Sequence, residues 1–479
     1  MALENLQPAS VFGFFEEICG IPHGSGNVDM ISDYLVQFAR ERNLEVIQDE
    51  EKNVIIKAPG SKGYEDREPV ILQGHMDMVA VKDAGVDIDM TRDGLKVRTD
   101  GEFVWAEGTS LGGDDGIAVA YCLALLDSDD IPHPPLEVVI TTNEETGMYG
   151  AAAIDLSGLK SKKLINIDNE EEGVFIVSCA GGARVYSELD LERKEVSGVK
   201  CRIDVKGLLG GHSGEMIKCG RGNANIIAAR ALLAAISETD INLISLDGGV
   251  ADNAIPSTAS STFVIPKDKA EAVKESIDRT LEELRAELEN KDDGVDISFE
   301  YEEGSSAFEA FTAEDTERVL KLICVYPDGV QAMSATVEGL VETSLNLGII
   351  KTEGGRITIE QSVRSSVESS KRVLIDKLTN IGEAFGASVT VSGRYPGWKY
   401  NTHSELRDHM VSVYRQMYGR DPKVEAIHAG LECGLLSEKI EGLDCISIGP
   451  DMQDIHSTGE KLSVRSVSNV WDYLKQVLA

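Results

Sequence analysis

PVILQGHMD (69–77) decides the fold. After Pro69 come three unbroken apolar residues, and the run is bounded closely on both sides. Such a run reads as a strand buried on both faces, as in parallel sheets covered by helices. Polar side chains follow at once: Gln73, His75 and Asp77. Open α/β sheets carry their functional groups at the carboxyl ends of strands. The pattern recurs along the chain. LEVVI (136–140) runs into TTNEETG (141–147), KLI (163–165) into NIDNE (166–170), and CISIG (445–449) precedes IHSTGE (455–460). GIAVAYCLALL (116–126) is apolar nearly all round and predicts a buried helix. ASVFGFFEEICG (9–20) and NVDMISDYLVQFARERN (27–43) read as helices, the second with Asn27 or Asp29 as its cap, and LEVIQDE and NVIIKAP as paired strands.

With 479 residues the chain exceeds what one core usually holds. The expected fold class is α/β: a catalytic domain with a mixed, largely parallel sheet flanked by helices, formed by residues 1–182 and 396–479. Near residue 182 the pattern turns to alternating strands, and 183–395 are expected to be an inserted α+β lid domain. Strands are expected at 199–206, 241–249, 257–266 and 294–302, with helices at 222–237 and 268–290. A second set follows: helix 313–325, strands 341–351 and 355–364, helix 368–385 and strand 387–393. The two halves share an element order, which suggests a duplicated helix-on-antiparallel-sheet unit. A domain inserted on two crossings suits a lid that moves by a hinge. The last helix begins at Ser463 and buries Val467, Val470, Trp471 and Leu474.

The formal charge of −36 repels nucleic acids and anionic membranes, and the aromatic content of 5% leaves little for stacking bases. No stretch approaches the ~18–20 apolar residues of a membrane span. The start, MALENLQPASVFGFFEEICG, has no basic segment leading into an apolar stretch, and the cysteines are scattered, as reduced thiols would be. A cytoplasmic enzyme with no nucleic-acid or membrane partner is expected.

The strand-end segments supply two imidazoles and three carboxylates: His75, Asp114 (in LGGDDG, 111–116), Glu145, Asp168 and His456. That is a ligand set for divalent metal with positions left open for substrate. One carboxylate shared between two ions makes a two-metal hydrolytic centre with ions roughly 3.5–4 Å apart. Asp114, in its glycine-rich loop, is the expected bridge. Asp77 lies two residues beyond His75 on the same face and is expected to accept the other ring N–H. Adjacent Glu144 and Glu145 point in different directions, so Glu145 suits the metal and Glu144 the general base. Glu170, Glu171 and Glu172 read as solvated charge.

In this order and at these intervals the segments resemble the co-catalytic zinc peptidases, a family that includes carnosinase, peptidase T, peptidase V and carboxypeptidase G. Within it they resemble the peptidase D branch of aminoacyl-histidine (Xaa-His) dipeptidases. The likeness runs from IPHGSGN (21–27) through HAGLECG (428–434) to HSTGEK (456–461). It implies two zinc ions, with cobalt or manganese as alternatives, bridged by Asp114. His75 and Asp168 would complete one site, Glu145 and His456 the other. It also implies a cis peptide between Asp114 and Asp115. The family's usual alanine before the bridging aspartate is Gly113 here. GGHSGEM (210–216) resembles a lid segment whose histidine polarises the scissile carbonyl, which would be His212. Asn253 (in DNAIPS) and Arg364 (in SVRSS) match positions that hold the substrate's backbone and terminal carboxylate, for which a guanidinium fork is suited. His428 and Glu432 receive no role. The implied activity is hydrolysis of carnosine-like Xaa-His or other unblocked dipeptides. An N-acyl amino acid amidohydrolase with the same metals is the alternative, and a non-catalytic metal-binding scaffold a remote one. A homodimer is compatible with this reading but is not needed to complete the site.

Overall fold

In the computed structural model, which describes residues 2–479, strand Val70–His75 lies between Leu136–Thr141 and Lys163–Asn166 and parallel to both. The eight strands of this sheet run in the order Glu45–Gln48, Val54–Ala58, Leu136–Thr141, Val70–His75, Lys163–Asn166, Asp444–Ser447, Val174–Ile176, Lys423–Glu425. The middle is parallel, and antiparallel pairs occur at the Glu45–Gln48 flank and between Asp444–Ser447 and Val174–Ile176. The sheet is therefore mixed, as expected. Four neighbouring strands, those ending at Thr141, His75, Asn166 and Ser447, point the same way and finish at one edge. Their register pairs His75 with Thr141, Gln73 with Asn166, and Asn166 with Ser447.

Helix Gly113–Leu126 is buried along its whole length, as its uniformly apolar sequence predicts. Its close approach to the sheet depends on Gly74. A Cβ there would stand 2.6 Å from the Ala118 Cβ and 2.5 Å from Oδ2 of Asp115. Helix Val464–Leu478 covers the same core. Ser463 caps it by accepting the Ser466 N–H, and Trp471 stacks on Tyr121 with ring centroids 6.0 Å apart. Val467, Val470, Trp471 and Leu474 are all buried. Helix Asp29–Glu41 differs from expectation: it follows Val28 and has no side-chain cap, and the Asn27 amide donates to the Thr91 carbonyl instead. A small antiparallel sheet of Val97–Thr99, Phe103–Ala106, Lys461–Ser463 and Met452–Gln453 was not foreseen. It makes the segment around His456 a hairpin rather than a free loop.

The chain forms two compact units. One comprises residues up to Ser178, Tyr400–Ala426 and Leu431–Ala479, and the other Cys179–Lys399 with Ile427–Gly430. The stretch Ile427–Gly430, expected in the catalytic domain, groups with the second unit because its backbone binds there. The Ala180 N–H donates to the Ala429 carbonyl at 2.9 Å.

The second unit is a ten-stranded antiparallel sheet with helices Ala224–Ala235, Ala270–Glu287, Ala313–Val325 and Glu368–Ala384. Its path is Asp296–Tyr301, Arg193–Lys206, Ala259–Ile265, Asn242–Gly248, Val341–Glu353, Arg356–Ser365, Gly181–Asp190, Ser388–Tyr395. Each half is a strand-helix-strand-strand-helix-strand unit with the same strand order, met end to end at the Gly248–Ile350 pair. The sequence showed the shared element order. It hid the nesting: Gly181–Asp190 opens the second half yet precedes the whole of the first. Strands Ser306–Phe311 and Gly329–Met333 were also missed.

No helix among the described residues is long and apolar enough to cross a membrane. Most cysteines are buried and none among the described residues forms a disulfide, but Cys433 and Cys445, 12 residues apart in the chain, have Sγ atoms 3.2 Å apart. Gly74→Ala is expected to cost about 1–3 kcal/mol through overpacking, read as a lower midpoint in urea denaturation; an unchanged midpoint would contradict the close packing described.

Candidate metal centre

The shared edge of the four parallel strands brings together what the sequence scatters. His75 ends its strand with its ring buried. Its Nε2 lies 3.1 Å from Oδ1 of Asp114 and 3.4 Å from Oδ1 of Asp168. The other oxygen of Asp114, Oδ2, lies 3.1 Å from Nε2 of His456, and that nitrogen lies 3.0 Å from Oε1 of Glu145. One carboxylate thus presents one oxygen to each imidazole, and a second carboxylate stands beside each pairing. Five groups from five separate segments meet within a few ångströms.

The loop before the buried helix aims Asp114. Gly112 takes the left-handed φ of 69°, where a Cβ would also stand 2.7 Å from the Met78 sulfur. The Asp114–Asp115 peptide is cis. Glu460, for which the sequence suggests no role, holds this loop. Its buried carboxylate accepts the N–H groups of Leu111 at 2.7 Å, Gly112 at 3.0 Å and Gly113 at 2.8 Å. Because Glu460 closes the hairpin that carries His456, one side chain ties both loops. Nothing in its spacing could have signalled this, since its partners are backbone groups far away in the chain.

Asp77 departs from expectation in detail. Nδ1 of His75 is 2.9 Å from the backbone carbonyl of Asp77, which takes the ring N–H, while the nearest carboxylate oxygen is 3.6 Å away. That carboxylate accepts instead from the Ser25 hydroxyl at 2.8 Å and from the Glu144 N–H at 3.0 Å. It therefore anchors the turn that carries Glu144 and Glu145. Burial opposes its ionisation, but His75, Ser25 and the Glu144 amide hold its carboxyl below the usual range.

The electrostatics show a site short of positive charge. Among the described residues the ion-pair partners of Asp114, Glu145 and Asp168 are imidazoles. Burial would lower the pKa of His75, but the charge of Asp168 and the contact with Asp114 lift it well above its ordinary value. Contacts with Asp114 and Glu145 lift His456 to about 10. Burial pushes Asp168 up to about 6, and pushes Glu144 and Asp115 well above the carboxylate range. Oδ1 of Asp115 is buried without a hydrogen-bond partner, and the buried Oε1 of Glu145 has the His456 imidazole beside it.

These residues fit divalent cations. Ligand atoms about 2.0–2.2 Å from a tetrahedral zinc stand about 3.4 Å from each other, close to the spacings above. His75, Asp114 and Glu145 form one group of mutually close donors, and His75, Asp115 and Asp168 a second. Asp115 was not expected there. Its Oδ2 accepts the His75 backbone N–H at 3.1 Å, which makes it a brace for the His75 strand end.

The second unit places the remaining candidates. His212 pairs in a short strand with Ala254, and its buried Nδ1 has no partner. Arg364 is buried, donates to the Tyr395 hydroxyl at 3.3 Å and leaves its Nε unpartnered. Burial and then the Arg364 charge lower the pKa of both His212 and His428, the latter to about 4. Nε2 of His428 is 2.7 Å from the Ser344 hydroxyl. Asn253 is exposed, and its carbonyl accepts the Ser213 N–H at 2.8 Å. Glu172, read as solvated charge, instead accepts the Asn469 amide at 3.0 Å.

Known proteins resemble this chain in sequence and fold. Residues 71–479 match the model of peptidase family M20/M25/M40. The cytosol non-specific dipeptidase of Escherichia coli is 36% identical over 478 residues, covering 99% of this chain and 98% of its own. The crystal structure of the aminoacylhistidine dipeptidase from Vibrio alginolyticus superposes with a TM-score of 0.93 at 38% identity, covering 100% of this chain and 98% of that one. The aminopeptidase PepT of Bacillus cereus shares the fold at a TM-score of 0.57 and 17% identity, over 99% and 98% of the two chains. Glu460→Ala is expected to strand buried N–H groups and destabilise the protein by about 1–3 kcal/mol in urea denaturation, with weaker metal binding; full stability would remove the clamp.

Proposed function

We propose that this chain, which belongs to the M20/M25/M40 peptidase family, is a two-metal dipeptidase that hydrolyses unblocked dipeptides, Xaa-His among them. The observation that carries the reading is the Asp114 carboxylate, with one oxygen beside His75 and the other beside His456. His75 with Asp168 would hold one ion, and Glu145 with His456 the other. Zinc suits this mixture of imidazole and carboxylate, with cobalt or manganese as substitutes. Bound there, the ions would supply an acidified water and a Lewis acid for the scissile carbonyl.

The chain's own residues do the rest. Glu144 accepts a proton from the attacking water and returns it to the leaving amine. Its backbone N–H is held by Asp77, and burial raises the affinity of its carboxyl for a proton above that of an ordinary glutamate. His212 is neutral there, because burial and Arg364 lower its pKa, and it donates an N–H to the developing oxyanion. Arg364, buried with a free Nε, pairs with the substrate's terminal carboxylate and so limits substrate length. Asn253 holds the substrate backbone. Two relatives support the substrate class: one is named a non-specific dipeptidase and the other an aminoacylhistidine dipeptidase. The first is also named for the cytosol, which supports a cytoplasmic location.

Glu144→Ala is expected to lower dipeptide turnover by on the order of 10²–10⁴-fold with the metal content unchanged. Appreciable turnover by that variant would dismiss Glu144 as the base. His212→Ala is expected to lower kcat, also with the metals in place; an unaltered kcat rules out the oxyanion contact. A chelator should abolish hydrolysis and added zinc restore it. Comparing an Xaa-His dipeptide with its N-acetylated form separates the peptidase from an acylamino acid hydrolase, since only the latter prefers the blocked compound.

A further inference from the structure

Beneath the metal centre, on the inner side of the strand ends, lies a polar network that the mechanism above does not use. Glu432 opens helix Glu432–Lys439 and is completely buried. Its Oε2 accepts two short hydrogen bonds, from the Gln73 amide at 2.6 Å and the Thr141 hydroxyl at 2.6 Å. The Gln73 carbonyl oxygen in turn accepts from the Asn166 amide at 2.6 Å. Gln73, Thr141 and Asn166 are themselves fully buried.

The positions of these three residues give the network its meaning. Gln73 is two residues before His75, and Asn166 two before Asp168, so each shares a strand end with a candidate ligand. Thr141 ends the strand that leads into Glu144 and Glu145, and it lies opposite His75 in the register. Backbone pairing runs to the strand ends, where the Met76 N–H donates to the Thr141 carbonyl and the Ile167 N–H to the Gln73 carbonyl, each at 2.9 Å. The side-chain bonds add a second cross-tie at the same level, from residues that point into the core.

We propose that Glu432 is the positioning residue of the metal centre: its carboxyl group joins the strand ends that lead to His75 and Glu145, and through Gln73 the one that leads to Asp168, and so sets how tightly metal is held. The inference rests on the two-metal reading above. Groups that orient metal ligands from behind typically change metal affinity by about 10–100-fold when removed.

Zinc binding by competition with a chromophoric chelator, together with thermal melting of the metal-free protein, tests this. Glu432→Ala is expected to weaken zinc binding by about 10–100-fold, and added zinc should restore most hydrolysis of an Xaa-His dipeptide. Glu432→Gln keeps an oxygen for both donors and is expected to bind zinc nearly as well as the parent protein. A purely structural role would lower the melting temperature of the metal-free alanine variant without moving its zinc affinity, and that result overturns the proposal. So does a glutamine variant as impaired as the alanine one. If Glu432→Ala does not fold, Thr141→Val removes one donor at nearly constant volume, and unchanged zinc affinity in that variant overturns the proposal equally. A parent protein that binds no zinc or cleaves no dipeptide defeats the two-metal reading itself; a competent parent with an indifferent Glu432 defeats only this inference.

Discussion

Asp114 places its two carboxylate oxygens against two different imidazoles, and the rest of the first unit serves that contact. The surroundings resist it. Two like charges about 4 Å apart repel by about 4 kcal/mol at the effective dielectric of a protein surface. Here Asp114, Glu145, Asp168, Glu144 and Asp115 crowd together. Without cations the two imidazoles supply the opposing charge, and their pKa values rise accordingly. Divalent ions supply it better, since each brings two charges and satisfies the oxygens that hydrogen bonding leaves bare.

Holding such a cluster requires rigid supports, and the supports are of two kinds. The parallel register aligns the strand ends within the sheet. Buried carboxylates then fix the turns beyond it: Asp77 anchors the Glu144 amide, Asp115 the His75 amide, and Glu460 the loop before Asp114. Acceptors bonded to backbone N–H groups suit this work, because backbone donors do not change rotamer. The second unit solves a different problem. Its long antiparallel sheet repeats one strand order twice, so a single packing solution, two helices on four strands, stabilises both halves.

Sequence alone revealed the α/β class, the helices on both sides of residue 182, the duplicated element order and the five candidate groups of the centre. It could do so because each signal is local: an apolar run, a periodicity, a polar residue immediately after a strand. Family likeness added the expected partition of ligands between two sites and the roles proposed for His212, Asn253 and Arg364. Long-range packing settled that the carbonyl of Asp77 takes the ring N–H of His75, that Glu460 clamps the Asp114 loop, that His456 rides on a hairpin, that Gly181–Asp190 belongs to the later half of its sheet, and that Glu432 ties two strand ends directly and a third through Gln73. Each of these is a hydrogen bond or pairing between residues far apart in the chain. Composition and periodicity describe neighbours in sequence, and the partner of a buried donor is fixed only when the backbone has been brought together around it.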